Sequence, residues 1–208
     1  MIEPTELLWN GPADAAHTVV LAHGAGAAMD SPFMNVMAEG LAGAGIRVAR
    51  FEFRYMQRHR EIGQRKPPDG AAHLRGHWIS VIEHLGGAGK LVIGGKSMGG
   101  RIASMLADEL GARGLVCLGY PFHPPGRPDR LRTAHLATLE TPTLIVQGTR
   151  DSLGSQEEIA NYELSSAIRL TFLEDGDHSF KPRKSSGRTA QQNLEHAIAA
   201  VAAFVKEL

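Results

Sequence analysis

Short apolar runs rich in branched side chains alternate along the chain with longer stretches in which apolar residues recur every three or four positions. Continuous apolar runs fit strands covered on both faces of a parallel sheet, and the periodic stretches fit the helices that cross between them. The runs predict strands over Thr18–Ala22, Arg47–Phe51, Lys90–Ile93, Leu115–Leu118, Thr143–Val146 and Arg169–Leu173. Helices are expected over Phe33–Ala44, Ala72–Leu85, Met98–Leu110, Gln156–Ser165 and Gln191–Leu208. In the last of these Leu194, Ile198, Val201, Val205 and Leu208 form one apolar face that can lie on a sheet. The order of elements predicts a three-layer α/β sandwich around a mostly parallel sheet. Three stretches break the pattern: Met56–Gly70, rich in Arg, Lys, Pro and Gly; the proline-rich Tyr120–Arg132; and the polar, basic Ser179–Gly187. Long irregular loops in a compact domain serve a site or move, which makes the first two candidates for a lid.

Length narrows this picture. A chain of 208 residues predicts one domain, 1–208, with a minimal cap or none. With 43% hydrophobic and 21% charged residues it can bury a core without cross-links. Twenty-two Lys and Arg balance 22 Asp and Glu, so no global field draws the protein to nucleic acid or to an acidic membrane. Cys117 is the only cysteine, which excludes an internal disulfide and a four-cysteine zinc site; its apolar neighbours predict burial. No stretch approaches the ~18 apolar residues of a membrane span, and Met1–Trp9 lacks the basic start and apolar run of a secretory leader. A soluble, cytoplasmic protein is the expectation, with its oligomeric state left open.

The most informative segment is Leu91-Val-Ile-Gly-Gly-Lys-Ser-Met-Gly-Gly-Arg101, an apolar strand that runs through small residues into an amphipathic helix. Within it, Gly95-Lys-Ser-Met-Gly99 has the spacing of a nucleophile elbow, where a strained serine projects above a sheet edge and its flanks must be small. A phosphate-binding loop ending in Gly95-Lys96-Ser97 is the rival. It needs glycine at position 90, where the chain has Lys90, and the adjacent Gly89 misses by one. A glycine-rich turn without chemistry is the remaining reading.

A serine hydroxyl attacks only when a base takes its proton and a third group fixes the base. In the elbow's usual chain order an Asp or Glu and then a His follow, each just beyond a strand. Asp151, in Gln147-Gly-Thr-Arg-Asp151, and His178, in Glu174-Asp-Gly-Asp-His178, meet that requirement. Asp175 and Asp177 are the competing acids, but an Asp so close to the histidine suits a turn cap better. Of the ten histidines, His17, His59, His84, His135 and His196 have no strand-end context. His73 and His77 have zinc-compatible spacing but lack the intervening Glu and a third ligand, so no metal is assigned. His123 could enter the mouth of the site from its proline-rich loop. The oxyanion needs two N–H donors, and those of Met98 and Ala25 are the candidates, with Gly26 as second choice to Ala25. His23, in His23-Gly-Ala-Gly26, is expected to hold its own loop rather than move protons.

With these pieces in one order, the chain resembles the α/β-hydrolase superfamily from about Thr18 onward. His23-Gly-Ala-Gly-Ala-Ala-Met-Asp-Ser-Pro-Phe33, Gly95-Lys-Ser-Met-Gly-Gly-Arg101, Tyr120-Pro-Phe-His-Pro-Pro125 and Gln147-Gly-Thr-Arg-Asp151 look like a subfamily of small hydrolases akin to dienelactone hydrolases. That subfamily is also similar to the hydrolase-like domain of a nonspecific-lethal complex subunit. The resemblance implies Ser97 as nucleophile, Asp151 as acid, His178 as base, and Ala25 with Met98 as oxyanion donors. Dienelactone hydrolase itself uses cysteine where this chain has Ser97, so its substrate is not carried over.

The resulting expectation is a serine hydrolase of carboxylic esters or thioesters that forms an acyl-enzyme on Ser97 and needs no cofactor. Its partner would be a small acyl substrate, because 6% aromatic residues and no cap predict a shallow pocket. The competing class is an inactive hydrolase-fold interaction module. Arg54, Arg58, Arg60, Arg65 and Lys66 form a basic run that most simply is a solvated face, yet Arg54 or Arg101 could bind a substrate anion through a bidentate fork.

Overall fold

The computed structural model describes residues 6–64 and 67–208. Seven strands, β1 (Leu7–Asn10), β2 (Thr18–Ala22), β3 (Arg47–Phe51), β4 (Leu91–Lys96), β5 (Gly114–Leu118), β6 (Thr143–Gly148) and β7 (Ile168–Leu173), form one sheet in the order β1-β3-β2-β4-β5-β6-β7. Only β1 runs antiparallel, against β3. The helices are α1 (Pro32–Gly43), α2 (Arg54–Ile62), α3 (Ala71–His84), α4 (Met98–Ser104), α5 (Gln156–Ile159) and α6 (Ala190–Glu207).

Strand side chains alternate strictly between two apolar layers, as a period of two dictates. Val19, Leu21, Val92 and Val116 face α1 and α6, while Val20, Ile93, Leu115 and Cys117 face α3 and α4. Both faces are covered, which gives the expected three-layer sandwich. Cys117 is fully buried, and burial pushes its thiol pKa up, so it is a core residue.

Four details differ from the sequence pattern. The edge strand β1 was not anticipated; its four residues are held by the ladder to β3 and by the Arg47 guanidinium 4.1 Å above the Trp9 ring. The segment taken as the start of a loop at Met56 is instead helix α2, whose Tyr55 and Met56 are buried beneath a polar remainder. Its basic run is partly neutralised by Glu52 and Asp30, and Arg65 and Lys66 lie outside the described residues. Helices α4 and α5 stop short of the expected Leu110 and Ser165. Beyond Ser104 and Ile159 the chain tightens into three-residue bonds such as Leu106 N to Ala103 O and Tyr162 N to Ile159 O, both 3.0 Å.

The Tyr120–Arg132 loop is irregular but pinned. Arg132 N donates to Phe122 O at 2.7 Å, Tyr120 Oη donates to Arg132 O at 2.9 Å, and both aromatic rings are buried.

Candidate active site

The sheet order reverses at β2 and β4: the chain builds toward β3 and β1 on one side and toward β5, β6 and β7 on the other. Loops leaving the carboxyl ends of two such strands diverge and open a crevice, the usual ligand position in an open α/β sheet. Ser97 stands there, between β4 and α4, with φ 50° and ψ −114°. Positive φ in a residue with a Cβ costs about 1–3 kcal/mol, and its N–H bond to Leu118 O at 3.0 Å helps to hold it. The flanking residues cannot be larger than glycine. A Cβ at Gly95 would lie 2.2 Å from Ala22 O, and one at Gly99 2.5 Å from the same oxygen.

Two loops from the far end of the sheet converge on this serine. His178 Nε2 lies 2.8 Å from Ser97 Oγ, and His178 Nδ1 lies 2.7 Å from Asp151 Oδ2. Because a carboxylate only accepts, Nδ1 carries the proton and Nε2 is left as an acceptor facing the serine hydroxyl. Asp151 is fully buried and His178 partly exposed, so the pair runs from the interior to the crevice.

The buried carboxylate has further donors. Its Oδ1 accepts from Leu153 N at 2.9 Å, and its Oδ2 accepts from Gln147 Nε2 at 2.9 Å. Gln147, fully buried at the end of β6, also donates to Tyr120 O and Gly154 O and accepts from Tyr120 N at 2.7 Å. It therefore locks the turn that carries Asp151 to the loop after β5. Sequence reasoning did not single it out, although a glutamine ending an otherwise apolar strand was a visible signal.

The histidine loop is held by its own acids and by α6. Asp177 Oδ1 accepts from Ser179 N and Lys181 N at 2.8 and 2.9 Å. Asp175 accepts from Arg183 N at 2.6 Å, and the Arg183 guanidinium holds its carboxyl down at about 2. Both acids thus brace the loop backbone. From α6, buried Asn193 donates to Glu174 O and Phe180 O at 3.1 and 2.9 Å. Phe180, two residues past His178, is buried at φ 68°, a conformation that a bulky residue adopts only under such restraint.

A cavity of about 360 Å³ opens beside Ser97 and His178, walled by Ala25, Ala27, Phe33 and Lys96 among others. The Ala25 loop is fixed by fully buried His23: Nδ1 lies 2.6 Å from Gly24 O, and Nε2 accepts from Phe53 N at 3.0 Å. This pattern requires the neutral Nδ1–H tautomer, and burial lowers the His23 pKa accordingly. Met98 follows Ser97 as the first residue of α4.

Arg54, Arg101 and His123 are not brought to this cavity. Arg54 opens α2 beside His77 and lines a separate cavity of about 480 Å³. Arg101 packs along α4 with Nη1 3.9 Å from Met105 Sδ. His123 is buried with Nδ1 2.9 Å from Pro124 O and Nε2 3.3 Å from Glu158 Oε1. The positive charge at the cavity comes instead from Lys96, next to the serine.

A model of the alpha/beta hydrolase domain matches residues 15–206, and the chain belongs to that family. Among solved structures it is similar to an alpha-beta serine hydrolase homologue from Coxiella burnetii, at 19% identity and a TM-score of 0.68, over 94% of this chain and 90% of that one. It is also similar to an α/β serine hydrolase without a lid from Xanthomonas campestris, at 20% identity and a TM-score of 0.66, covering 94% and 88% of the two chains. A dienelactone hydrolase from Anabaena variabilis matches at 22% identity and a TM-score of 0.65, over 100% and 92%. At these identities the likeness is one of fold. No helix among the described residues is long and apolar enough to cross a membrane.

Proposed function

We propose that this protein is a serine hydrolase that cleaves carboxylic esters or thioesters of small or medium acyl groups through an acyl-enzyme on Ser97. The observation that carries this reading is the unbroken line from Ser97 Oγ through His178 to buried Asp151, at 2.8 and 2.7 Å. In the reaction His178 Nε2 takes the Ser97 proton as Oγ adds to the acyl carbonyl, and Asp151 stabilises the imidazolium that forms. The N–H groups of Ala25 and Met98 receive the oxyanion. The intermediate collapses as His178 returns the proton to the departing alcohol or thiol. Water, deprotonated by the same imidazole, then releases the acid. A cavity of about 360 Å³, narrowed by Phe33, Met34 and Lys96, suits short acyl chains better than long ones.

The test is labelling of the purified chain with a fluorophosphonate, followed by intact mass, alongside turnover of p-nitrophenyl acetate, butyrate and laurate. Wild type should gain one adduct, and Ser97→Ala none. Asp151→Asn and His178→Ala should slow both labelling and turnover, on the order of a thousandfold or more. Acetate or butyrate should outpace laurate. No adduct at any probe concentration would overturn the proposal and hand the chain to the interaction-module reading.

A further inference from the structure

Lys96 has no role in the chemistry above, yet it occupies a built position. It ends β4 one residue before Ser97, and its Nζ donates to the carbonyl oxygen of His178 at 2.7 Å. The ammonium sits 5.5 Å from the Phe33 ring centroid and 5.8 Å from that of Phe180. Those rings meet edge to face at 5.4 Å, so the side chain ends in an aromatic corner. Gly119, at φ 67°, keeps the same point open: a Cβ there would stand 2.8 Å from Nζ and 3.1 Å from His178 O. Among the described residues Lys96 forms no ion pair. A half-buried lysine without a carboxylate partner gives up part of its hydration, a cost that an apolar side chain of the same length would not carry.

We propose that Lys96 is a positioning residue whose ammonium clamps the His178 carbonyl and thereby holds the imidazole over Ser97. The inference rests on the triad reading. It ties the two loops that must stay in register, because the nucleophile rides on β4 and the base arrives from beyond β7. Misplacement of a base by about 1 Å costs on the order of a hundredfold in rate. The clamp depends on charge: a charge-assisted bond to a carbonyl is about twice as strong as a neutral one, and the attraction to the rings vanishes with the charge. Burial pushes the Lys96 pKa down to about 8, with Asp151 and Asp177 opposing that fall. Those two carboxylates and the imidazole of His178 are the titratable groups facing it. The clamp therefore weakens as pH rises through about 8.

The experiment compares wild type, Lys96→Met and Lys96→Arg on neutral p-nitrophenyl acetate from pH 6 to 10. Imidazole ¹⁵N shifts of His178 are recorded in parallel, and thermal unfolding confirms folding. In wild type kcat should fall above about pH 8, and the His178 shifts should move with the same midpoint. Lys96→Met should lower kcat on the order of ten- to a hundredfold with KM within about twofold, and both alkaline transitions should disappear. Lys96→Arg should recover most of kcat and carry the transition beyond pH 10, since guanidinium stays charged. A kcat within about twofold of wild type in Lys96→Met, or an unchanged alkaline midpoint, overturns the clamp. So does a loss seen only as raised KM for succinyl esters, which would make Lys96 a contact for substrate anions. If wild type neither labels nor turns over, the hydrolase reading has failed, and unmoved His178 shifts in Lys96→Met would decide the clamp independently. Should Lys96→Met not fold, the midpoint in Lys96→Arg decides it.

Discussion

Asp151 is as much a product of its neighbours as of its own position. Fully buried and charged, it can stay in the interior only because donors surround it, and Gln147 is the one whose removal disturbs most. In Gln147→Leu the Tyr120 N–H and the Gly154 carbonyl lose their partner, the Tyr120 carbonyl keeps only Phe122 N at 3.1 Å, and the carboxylate loses one donor. Each unsatisfied buried group costs about 1–3 kcal/mol, less where water enters, so a total loss of about 2–4 kcal/mol is expected in denaturant titration. Under the proposed mechanism kcat should fall at least tenfold, since the acid that orients His178 shifts. Gln147→Glu should be worse, because two carboxylates about 3 Å apart cannot both ionise. A Gln147→Leu variant with unchanged kcat and stability would show that the glutamine is incidental. That Ser97, Asp151 and His178 could meet was legible from their spacing and strand-end setting, because each sits in a motif only a few residues long. The roles of Gln147 and Lys96 could not: a lone polar residue at a strand end marks Gln147, but what each does lies in contacts across 27 and 82 residues of sequence.

At the level of elements the same distinction explains what the pattern missed. Strands β2 to β6 are buried on both faces, so their apolar runs announce them, and edge strand β7, though partly exposed, is six residues long and mostly apolar. Edge strand β1 is half-covered and only four residues long, too short for periodicity to register. Helix α2 is almost wholly polar, with an Arg-His-Arg-Glu run that reads as solvated loop; its helicity is imposed from outside. Arg60 anchors it to buried Glu52, with Nε 2.7 Å from Oε2 and Nη2 2.9 Å from Oε1, and its guanidinium also contacts Asp30. Arg60→Ala would leave the Glu52 carboxylate buried with only the Met29 N–H at 3.3 Å in support. The expected cost is about 1–3 kcal/mol, far above the median for an exposed pair, because one partner is desolvated. Hydrogen exchange should then quicken across Arg54–Ile62 while α3 and α6 stay protected. Equal protection of α2 in both proteins would mean that Tyr55 and Met56 alone hold the helix.

Across the whole molecule, charges that cancel near neutrality leave the pH dependence of stability to a few buried groups. His77 lies under Phe51 and Phe53, with ring centroids 5.5 and 6.0 Å away, and burial, helped by Arg54 and His23, pushes its pKa down to about 4. The unfolded chain binds that proton near pH 6.5 and the native protein does not. Stability is therefore full above about 6.5 and drains as pH falls toward 4, by at most about 3 kcal/mol from this residue. His23 acts in the same direction. The lowered carboxylates Asp30, Asp108, Glu158 and Asp175 lose their contributions only below about pH 4.5, so the window from 6.5 to 5 belongs to the histidines. Above neutrality Lys96 restores an upward slope: from about 8 to 10.5 the unfolded chain holds a proton that the native state has shed, and stability rises with pH again. Buried Tyr55 and Tyr120, whose pKa values burial raises, end that gain beyond pH 10, where only the unfolded chain ionises them. A Tm profile should thus climb from pH 5 to 6.5, level, and climb again above 8. His77→Gln should flatten the acid rise and Lys96→Met the alkaline one. If the Lys96 clamp also governs turnover, kcat will decline over the same alkaline interval in which Tm increases. Parallel movement of the two curves above pH 8 would count against assigning both effects to one lysine.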